Sequence, residues 1–268
     1  MPYDAIARPI PGLWLSRGDG HRLLARLAGG AALRARLTVD VDRHPVTSHN
    51  VIGVLPGRGD EWVIVASHHD APWASAVEDA SGIAMVLAQA AYWAARPAAE
   101  RPHNLLFLLT AGHMAEAAGT RAFIDRHAAL LPRVVLQVHL EHAARRCVPE
   151  HDALVPTDEP EVRWWFTSRV PALEAAVGAA LAAHDLRRSL ILRPDVFGPM
   201  PTTDGAYFHP AGVPLVHFLT APMYLFDSCD TLDKIHVASL EPVGRAVTDI
   251  IDATAGVSAA AMRASATP

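Results

Sequence analysis

Four short apolar runs restrict the folds open to this chain, because a segment with helical periodicity separates most of them from the next. The runs are WVIVA (62–66), NLLFLL (104–109), VVLQVHL (134–140) and PLVHFL (214–219). Short runs without polar alternation are typical of strands that helices cover on both faces. A further segment, LRARLTVDVD (33–42), alternates apolar and polar residues and predicts a strand nearer the edge of the sheet.

Helices are predicted between these strands and after the last of them. The periodic segments are residues 81–96, 119–131, 171–184 and 239–255, and the last dozen residues are expected to fray. Asp79 and Ser81 supply capping groups before the first helix, and Pro97 ends it. This alternation predicts an α/β fold, with a mixed, mainly parallel β-sheet flanked by helices on both faces. The proline-rich segment 194–214 is expected to form a long loop near a site.

Composition and charge exclude several classes of protein. Of the 268 residues, 51% are hydrophobic and 19% are charged, which supports a large core and excludes a disordered chain. The net charge of −5 comes from interleaved acids and bases, so nucleic acid is not an expected partner. No apolar run approaches the ~20 residues of a membrane span. No signal peptide is visible at the N-terminus, so a cytoplasmic location is the default expectation, and localisation stays open.

Ionisable side chains follow three of the predicted strands at the point where each strand ends. His68 follows the first run, His113 the second and Glu141 the third, while Asp79 precedes a helix. Open α/β sheets place their sites at the carboxyl ends of strands, so we expect these four side chains to converge. His68, Asp79 and Glu141 suit zinc or another divalent metal and leave one position for water. Capping remains an alternative role for Asp79, and a buried structural acid for Glu141.

The remaining polar residues near these strand ends have supporting or open roles. Asp70 is predicted to orient the His68 imidazole without binding the metal itself. His113, with a reference pKa of ~6.5, suits a general base, but a metal ligand or a buried core histidine are open alternatives. Strand alternation places His139 on the same side as Glu141 and His142 on the other, and both are expected to be structural. The two cysteines, Cys147 and Cys229, fit neither zinc-finger spacing nor a disulfide framework and are expected to be free.

Several short motifs occur in the order found in a known peptidase family. They are HHD (68–70), EDASGIA (78–84), GTRAF (119–123), HLE (139–141), TDGAYFHPAGVPLVHF (203–218) and DTLDKI (230–235). On these motifs the chain resembles peptidase family twenty-eight, the di-zinc aminopeptidases and their relatives. The resemblance implies a zinc-aminopeptidase-like three-layer sandwich over residues 48–268. Residues 1–47 resemble the end of a protease-associated insert.

The resemblance implies that one of the two metal sites of the family is retained. It assigns His68 and Asp70 to the family's histidine–x–aspartate motif, Asp79 to the metal-bridging carboxylate and Glu141 to the acidic ligand after the next strand. The expected cofactor is therefore one zinc ion rather than two, with manganese or iron as alternatives. One-zinc relatives such as glutaminyl cyclases indicate that the fold tolerates such a loss, but they use a different ligand set.

The same resemblance implies that the other metal site is lost. The family's paired glutamates, a base and a ligand, fall on His113 and Met114, and its final ligand histidine falls on Phe226. A shift of three residues would instead bring in Glu116. Met114, Phe226 and Trp73 are candidates for lining a pocket.

Two functions are compatible with these observations. The first is a metal-dependent hydrolase, an aminopeptidase or amidohydrolase, that acts on a peptide or small amide with His113 as base. The second is a catalytically inactive pseudo-peptidase that serves as a binding or structural module. The substrate and the oligomeric state stay open.

Overall fold

The computed structural model describes residues 12–13, 15–40, 42, 44–151 and 153–266. The chain divides into two units, residues 1–47 and 48–268. The first unit contains helix α1 (Arg17–Ala28), and Ser16 caps it by accepting a hydrogen bond from the Asp19 N–H. The strand predicted over residues 33–42 was wrong, since the described residues of that segment form no strand. The resemblance of residues 1–47 to a protease-associated insert stays a prediction.

The second unit, in the described residues, contains nine strands and five α-helices. The strands are β1 (Val51–Leu55), β2 (Trp62–His68), β3 (Asn104–Thr110), β4 (Val134–Leu140), β5 (Arg145–Glu150), β6 (Ala153–Pro160), β7 (Arg163–Thr167), β8 (Ser189–Leu192) and β9 (Leu215–Thr220). The helices are α2 (Gly82–Ala94), α3 (Ala118–Arg126), α4 (Pro171–Ala183), α5 (Val237–Asp252) and α6 (Ala259–Ala264). The four strands predicted from apolar runs correspond to β2, β3, β4 and β9.

Seven of these strands form one mixed sheet in the order β1-β3-β2-β4-β9-β7-β8, and β5 and β6 form a separate hairpin. The pairs β2–β3, β2–β4, β4–β9 and β7–β8 are parallel, whereas β1–β3 and β7–β9 are antiparallel. The predicted mixed, mainly parallel sheet is therefore confirmed. Because β3, β2, β4 and β9 are adjacent and parallel, their carboxyl ends meet at one edge of the sheet.

The sheet separates two apolar cores, one on each face. Successive side chains of a strand point to opposite faces. In β2, Val63 and Val65 belong to a core that includes Trp93 of α2 and residues of α4 and α5. Ile64 and Ala66 belong to a second core that includes Phe123 of α3. Helices thus cover both faces, which explains why the central strands are apolar along their whole length.

The helix predictions were correct in number and place for four segments and differed at their ends. Helix α3 ends at Arg126, five residues before the predicted end of that segment. The C-terminal residues expected to fray contain α6, in which Ser258 accepts a hydrogen bond from the Ala261 N–H. Cys147 and Cys229 are free thiols, as expected. Among the described residues, each helix is too short or too polar to cross a bilayer.

The buried side chain of Arg101 links the C-terminal end of α2 to the residue after β1. The Arg101 guanidinium donates hydrogen bonds to the carbonyl oxygens of Pro56 at 2.6 Å, Trp93 at 2.8 Å and Arg96 at 2.7 Å. We expect Arg101→Ala to lower the free energy of unfolding by about 2–4 kcal/mol, because buried carbonyl oxygens lose their donors. Urea denaturation followed by circular dichroism measures this loss.

The exposed pair of Arg245 and Glu241 on α5 provides the matched control for this experiment. Arg245 donates to Glu241 at 2.7 Å, but both side chains are exposed to solvent. Arg245→Ala should cost no more than about 0.5 kcal/mol, since exposed pairs on a helix contribute little. Equal losses in the two variants would contradict the assigned role of Arg101.

Candidate metal centre

A cluster of buried polar side chains lies at the edge of the sheet where β2, β3 and β4 end. His68 is the last residue of β2, His113 lies in the turn after β3, and His142 follows β4 by two residues. Glu78 comes from the irregular segment 76–81 that precedes α2. The predicted convergence of strand-end residues at one crevice is therefore seen for His68 and His113.

The Glu78 carboxylate lies at the centre of this cluster, between three imidazoles. Its Oε1 atom is 3.1 Å from His68 Nε2 and 3.1 Å from His113 Nε2. Its Oε2 atom is 2.5 Å from His142 Nε2. Glu78 and His68 are completely buried, and His142 and His113 are at most 9% exposed. Charged and polar groups at this depth require partners, because an unpaired buried group is costly.

The other nitrogen of each imidazole is already engaged by an oxygen that can only accept. His68 Nδ1 is 3.0 Å from the Asp70 carbonyl oxygen, and His142 Nδ1 is 2.9 Å from the Thr220 carbonyl oxygen. His113 Nδ1 is 2.6 Å from Asp204 Oδ1. In the neutral form of each ring, Nδ1 therefore carries the proton and Nε2 presents a lone pair. Metal-binding histidines in proteins are fixed in this way.

The atoms that face one another in the cluster contact each other closely, but among the described residues none has a hydrogen-bond partner in a suitable geometry. They are His68 Nε2, His113 Nε2, His142 Nε2 and both carboxylate oxygens of Glu78. Lone pairs of neutral imidazoles and of a carboxylate repel one another unless a cation or a proton lies between them. Two imidazoles and one carboxylate form a donor set that catalytic zinc sites use. The residues present therefore fit a divalent metal ion.

Two sets of three side chains, within the described part of the chain, bring possible ligand atoms within 4.8 Å of one another. One set is His68, Glu78 and His142, and the other is His68, His113 and Asp204. The rings of His68 and His113 are stacked with centroids 4.0 Å apart and planes inclined by 7°. A ligand imidazole holds its metal in the ring plane, so one ion cannot lie in both planes. The first set therefore suits a metal, and His113 is left beside it.

Asp79, predicted as a ligand, is engaged by neighbouring groups through both carboxylate oxygens. Its Oδ1 atom accepts hydrogen bonds from the Gly82 and His142 N–H groups, both at 3.2 Å. Its Oδ2 atom accepts from the Ser67 hydroxyl and lies 3.7 Å from His68 Nε2. A Cβ atom at Gly82 would overlap this carboxylate, so only glycine fits there. These contacts agree with the capping alternative for Asp79, at the start of α2, and its role as a ligand stays a prediction.

Glu141, the other predicted carboxylate ligand, is also held by neighbouring groups. Its Oε1 atom is 2.7 Å from His139 Nε2 and accepts from the Asp204 N–H at 2.9 Å. Its Oε2 atom is 3.7 Å from His142 Nε2. In each case the neighbouring residue faces the cluster instead: His142 beside Glu141, and Glu78 beside Asp79. The predicted set of His68, Asp79 and Glu141 is not one of the two sets that the structure brings together.

Local backbone geometry explains both one-residue differences. His142 has a φ of 44°, in the left-handed region, so its side chain does not follow the alternation of β4. In segment 76–81, Asp230 Oδ1 accepts from the Val77 N–H at 2.8 Å and Oδ2 accepts from the Glu78 N–H at 3.0 Å. Asp230 therefore fixes the main chain of Glu78 from a distant part of the sequence. Three acids of this region, Glu78, Asp204 and Asp230, were not predicted as site residues from the sequence.

Asp70 supports the centre through different atoms from those predicted. Its main-chain carbonyl oxygen, and not its carboxylate, contacts His68. The carboxylate accepts hydrogen bonds from the Gly112 N–H at 2.9 Å and the His113 N–H at 3.2 Å. Asp70 consequently positions both histidines, His68 by its main chain and His113 by its side chain.

The three pocket candidates differ in their contacts and in their exposure to solvent. The Phe226 ring stacks on His113 with centroids 5.6 Å apart and planes inclined by 24°. Met114 follows His113 in the same short turn and is half-buried. Trp73 is 62% exposed. The His113 ring thus stacks on two neighbours, His68 and Phe226.

The electrostatics of the cluster favour positive charge around Glu78. Burial alone lowers the pKa of His142, but the carboxylates of Glu78, Glu141 and Asp79 together outweigh burial and raise that pKa to about 10. Burial alone raises the pKa of Glu78, yet His142 and His68 hold it well below its ordinary value. Burial raises the pKa of Asp79 to about 7. A divalent cation would supply the positive charge that this arrangement demands.

Comparison with solved structures shows where this fold occurs. A zinc aminopeptidase from Bacillus subtilis matches with 16% identity and a TM-score of 0.59, over 75% of this chain and 49% of its own. An aminopeptidase from Aneurinibacillus sp. strain AM-1 matches with 20% identity and a TM-score of 0.56, over 94% and 56%. A glutaminyl cyclase from an Acidobacteriales bacterium matches with 16% identity and a TM-score of 0.54, over 75% and 72%. The chain thus spans about half the length of the two aminopeptidases.

These identities are low, so the structural matches establish the fold, which is the predicted aminopeptidase-like α/β sandwich. No curated protein matches the sequence significantly. The sequence profile of peptidase family M28, however, matches residues 50–251, which is most of the second unit. This chain therefore belongs to peptidase family M28.

Proposed function

We propose that this chain is a metal-dependent hydrolase that cleaves the amide bond of a peptide or a small amide. Zinc is the proposed metal, and a single ion is proposed because the stacking of His68 on His113 keeps His113 out of the ion's ligand set. His68, Glu78 and His142 would hold the ion. The observation that carries this proposal is the set of buried, unpartnered Nε2 and carboxylate atoms that face one another.

The chemistry of the proposed reaction requires an activated water and a group that moves its proton. A divalent metal, when bound, polarises the scissile carbonyl and lowers the pKa of water. His113 presents Nε2 to the centre, 3.1 Å from Glu78 Oε1, while its Nδ1–H is held by Asp204. His113 Nε2 would accept a proton from the attacking water and return it to the amide nitrogen as the C–N bond breaks. The leaving amine then departs neutral.

Membership of a peptidase family supports a peptide substrate. The proposed function also agrees with the zinc aminopeptidase named among the structural matches. The inactive pseudo-peptidase remains the second candidate, and the Phe226 ring against His113 is the observation that favours it. In that case the crevice would bind a peptide without cleaving it.

Metal content separates the two candidates. We expect about one zinc per chain by elemental mass spectrometry after loading with zinc and removing the excess, and almost none in His68→Ala. His184→Ala is the matched control, because His184 pairs with Asp249 at 2.7 Å on the surface, away from the centre. Zinc that is absent even after loading, or that is unaffected by His68→Ala, would contradict the proposed site and leave the pseudo-peptidase.

Activity is then tested on leucine p-nitroanilide with the zinc-loaded protein. His113→Ala should retain zinc and lose hydrolysis by about 10²–10⁴-fold, the usual contribution of a general base. Loss of zinc in this variant would instead make His113 a ligand. Hydrolysis at the wild-type rate would exclude His113 as the base.

A further inference from the structure

The His113 side chain is restrained by two neighbouring rings and by its own main chain. Its ring stacks on His68, with centroids 4.0 Å apart, and on Phe226, with centroids 5.6 Å apart. Its main-chain N–H donates to the Asp70 carboxylate. Stacking restrains the tilt of the ring, but stacking does not decide which ring nitrogen carries the proton. That choice depends on the group that faces Nδ1.

Asp204 is the group that faces Nδ1. Its Oδ1 atom is 2.6 Å from His113 Nδ1, and both side chains are at most 9% exposed. A carboxylate can only accept in this pair, so Nδ1 must be the protonated nitrogen of the neutral ring. The second oxygen, Oδ2, has no hydrogen-bond partner among the described residues.

Asp204 is itself fixed in place by the edge of the sheet. Its main-chain N–H donates to Glu141 Oε1 at 2.9 Å, and Glu141 is 2.7 Å from His139 Nε2. A Cβ atom at the following residue, Gly205, would lie 2.9 Å from His139 Nδ1, so glycine allows this close approach. The main chain of Asp204 therefore rests on residues at the end of β4.

We propose that Asp204 is a positioning residue, which holds His113 in the Nδ1–H form and aims the Nε2 lone pair at the reaction centre. This inference rests on the proposed function, because it assigns Asp204 a role in the reaction only through His113. An aspartate that fixes the form of a catalytic histidine is worth as much as ~10⁴-fold in kcat in serine proteases. Here the same physical requirement is met on an unrelated fold.

The test is Asp204→Asn, which keeps the size of the side chain and removes the charge. An amide can donate to Nδ1 and so favour the opposite, Nε2–H form. We expect kcat for leucine p-nitroanilide to fall by about 10²–10⁴-fold, with KM and bound zinc nearly unchanged. Nitrogen NMR of histidine-labelled protein, at a pH where the ring is neutral, should show His113 changing from the Nδ1–H to the Nε2–H form.

Asp249→Asn is the matched control, because Asp249 forms a similar pair with His184 at 2.7 Å on the surface. It should alter the His184 signal and leave kcat unchanged. An unchanged His113 form in Asp204→Asn, or a loss expressed in zinc content and KM with kcat retained, would overturn the inference. If the wild-type protein hydrolyses no amide, the proposed function fails, and the NMR result still decides whether Asp204 fixes His113.

Discussion

Replacement of Glu78 by glutamine is expected to weaken zinc binding by more than about 100-fold, the upper range for residues that only support a ligand. The carboxylate is the only anionic member of the proposed ligand set, and it contacts all three imidazoles within 3.1 Å. Glutamine has nearly the same shape but offers one neutral acceptor oxygen and an NH₂ group that repels a cation. Competition with a chromophoric chelator measures the change in affinity.

Asp79→Asn is the matched control for Glu78→Gln, because the two acids are adjacent and both buried. Asp79 contacts main-chain N–H groups and Ser67, so its loss should lower zinc affinity by at most about 10–100-fold. The two variants also separate the sequence-based ligand assignment from the one that the geometry favours. Severe zinc loss in Asp79→Asn, with zinc retained in Glu78→Gln, would restore Asp79 as the ligand.

Asp230→Ala should combine a large loss of stability with a loss of zinc. Asp230 is completely buried, and its two oxygens accept from the main-chain N–H groups of Val77 and Glu78. Removing the carboxylate leaves two buried donors unpaired, which should cost about 2–5 kcal/mol of unfolding free energy. The segment that carries Glu78 would also lose its attachment. Urea denaturation and elemental analysis of the same preparation measure both effects.

Two further variants make the Asp230 result interpretable. Asp230→Asn retains one acceptor oxygen and should lie between the wild type and Asp230→Ala in stability and zinc content. Asp195→Ala removes an exposed carboxylate that pairs with the exposed Arg193 at 2.6 Å, and should be nearly neutral. Wild-type stability and zinc content in Asp230→Ala would show that Asp230 does not hold the Glu78 segment.

The central part of the fold was predictable from the sequence because burial on both faces leaves a simple pattern. Strand β4 shows this best, since its predicted and observed limits coincide at residues 134–140. The strand predicted over residues 33–42 was wrong. An alternating pattern indicates that a segment could join a sheet, but it does not show that a partner strand lies beside it. The hairpin of β5 and β6 was missed, since its residues are mostly half-buried or exposed and have no apolar run.

The candidate centre was predictable to the nearest strand end but not to the residue. The periodicity of strands and helices predicts where a side chain points only inside those elements. Glu78 and His142 lie just outside them. His142 departs from the alternation of β4 because its backbone is left-handed. Glu78 precedes the capping residue in a segment shaped by Asp230, about 150 residues later, and local sequence carries no sign of that contact.

The surroundings of the centre differ in how easily they open locally: β4 is completely buried, whereas the segment that contains Phe226 is not. All seven residues of this strand are buried, and it pairs with neighbours on both edges. Phe226, by contrast, belongs to residues 225–229, which contain no strand or helix and are partly exposed. Local opening costs least where burial and backbone pairing are least. A substrate would therefore gain entry by displacing this turn, while the ligands at the strand ends keep their positions.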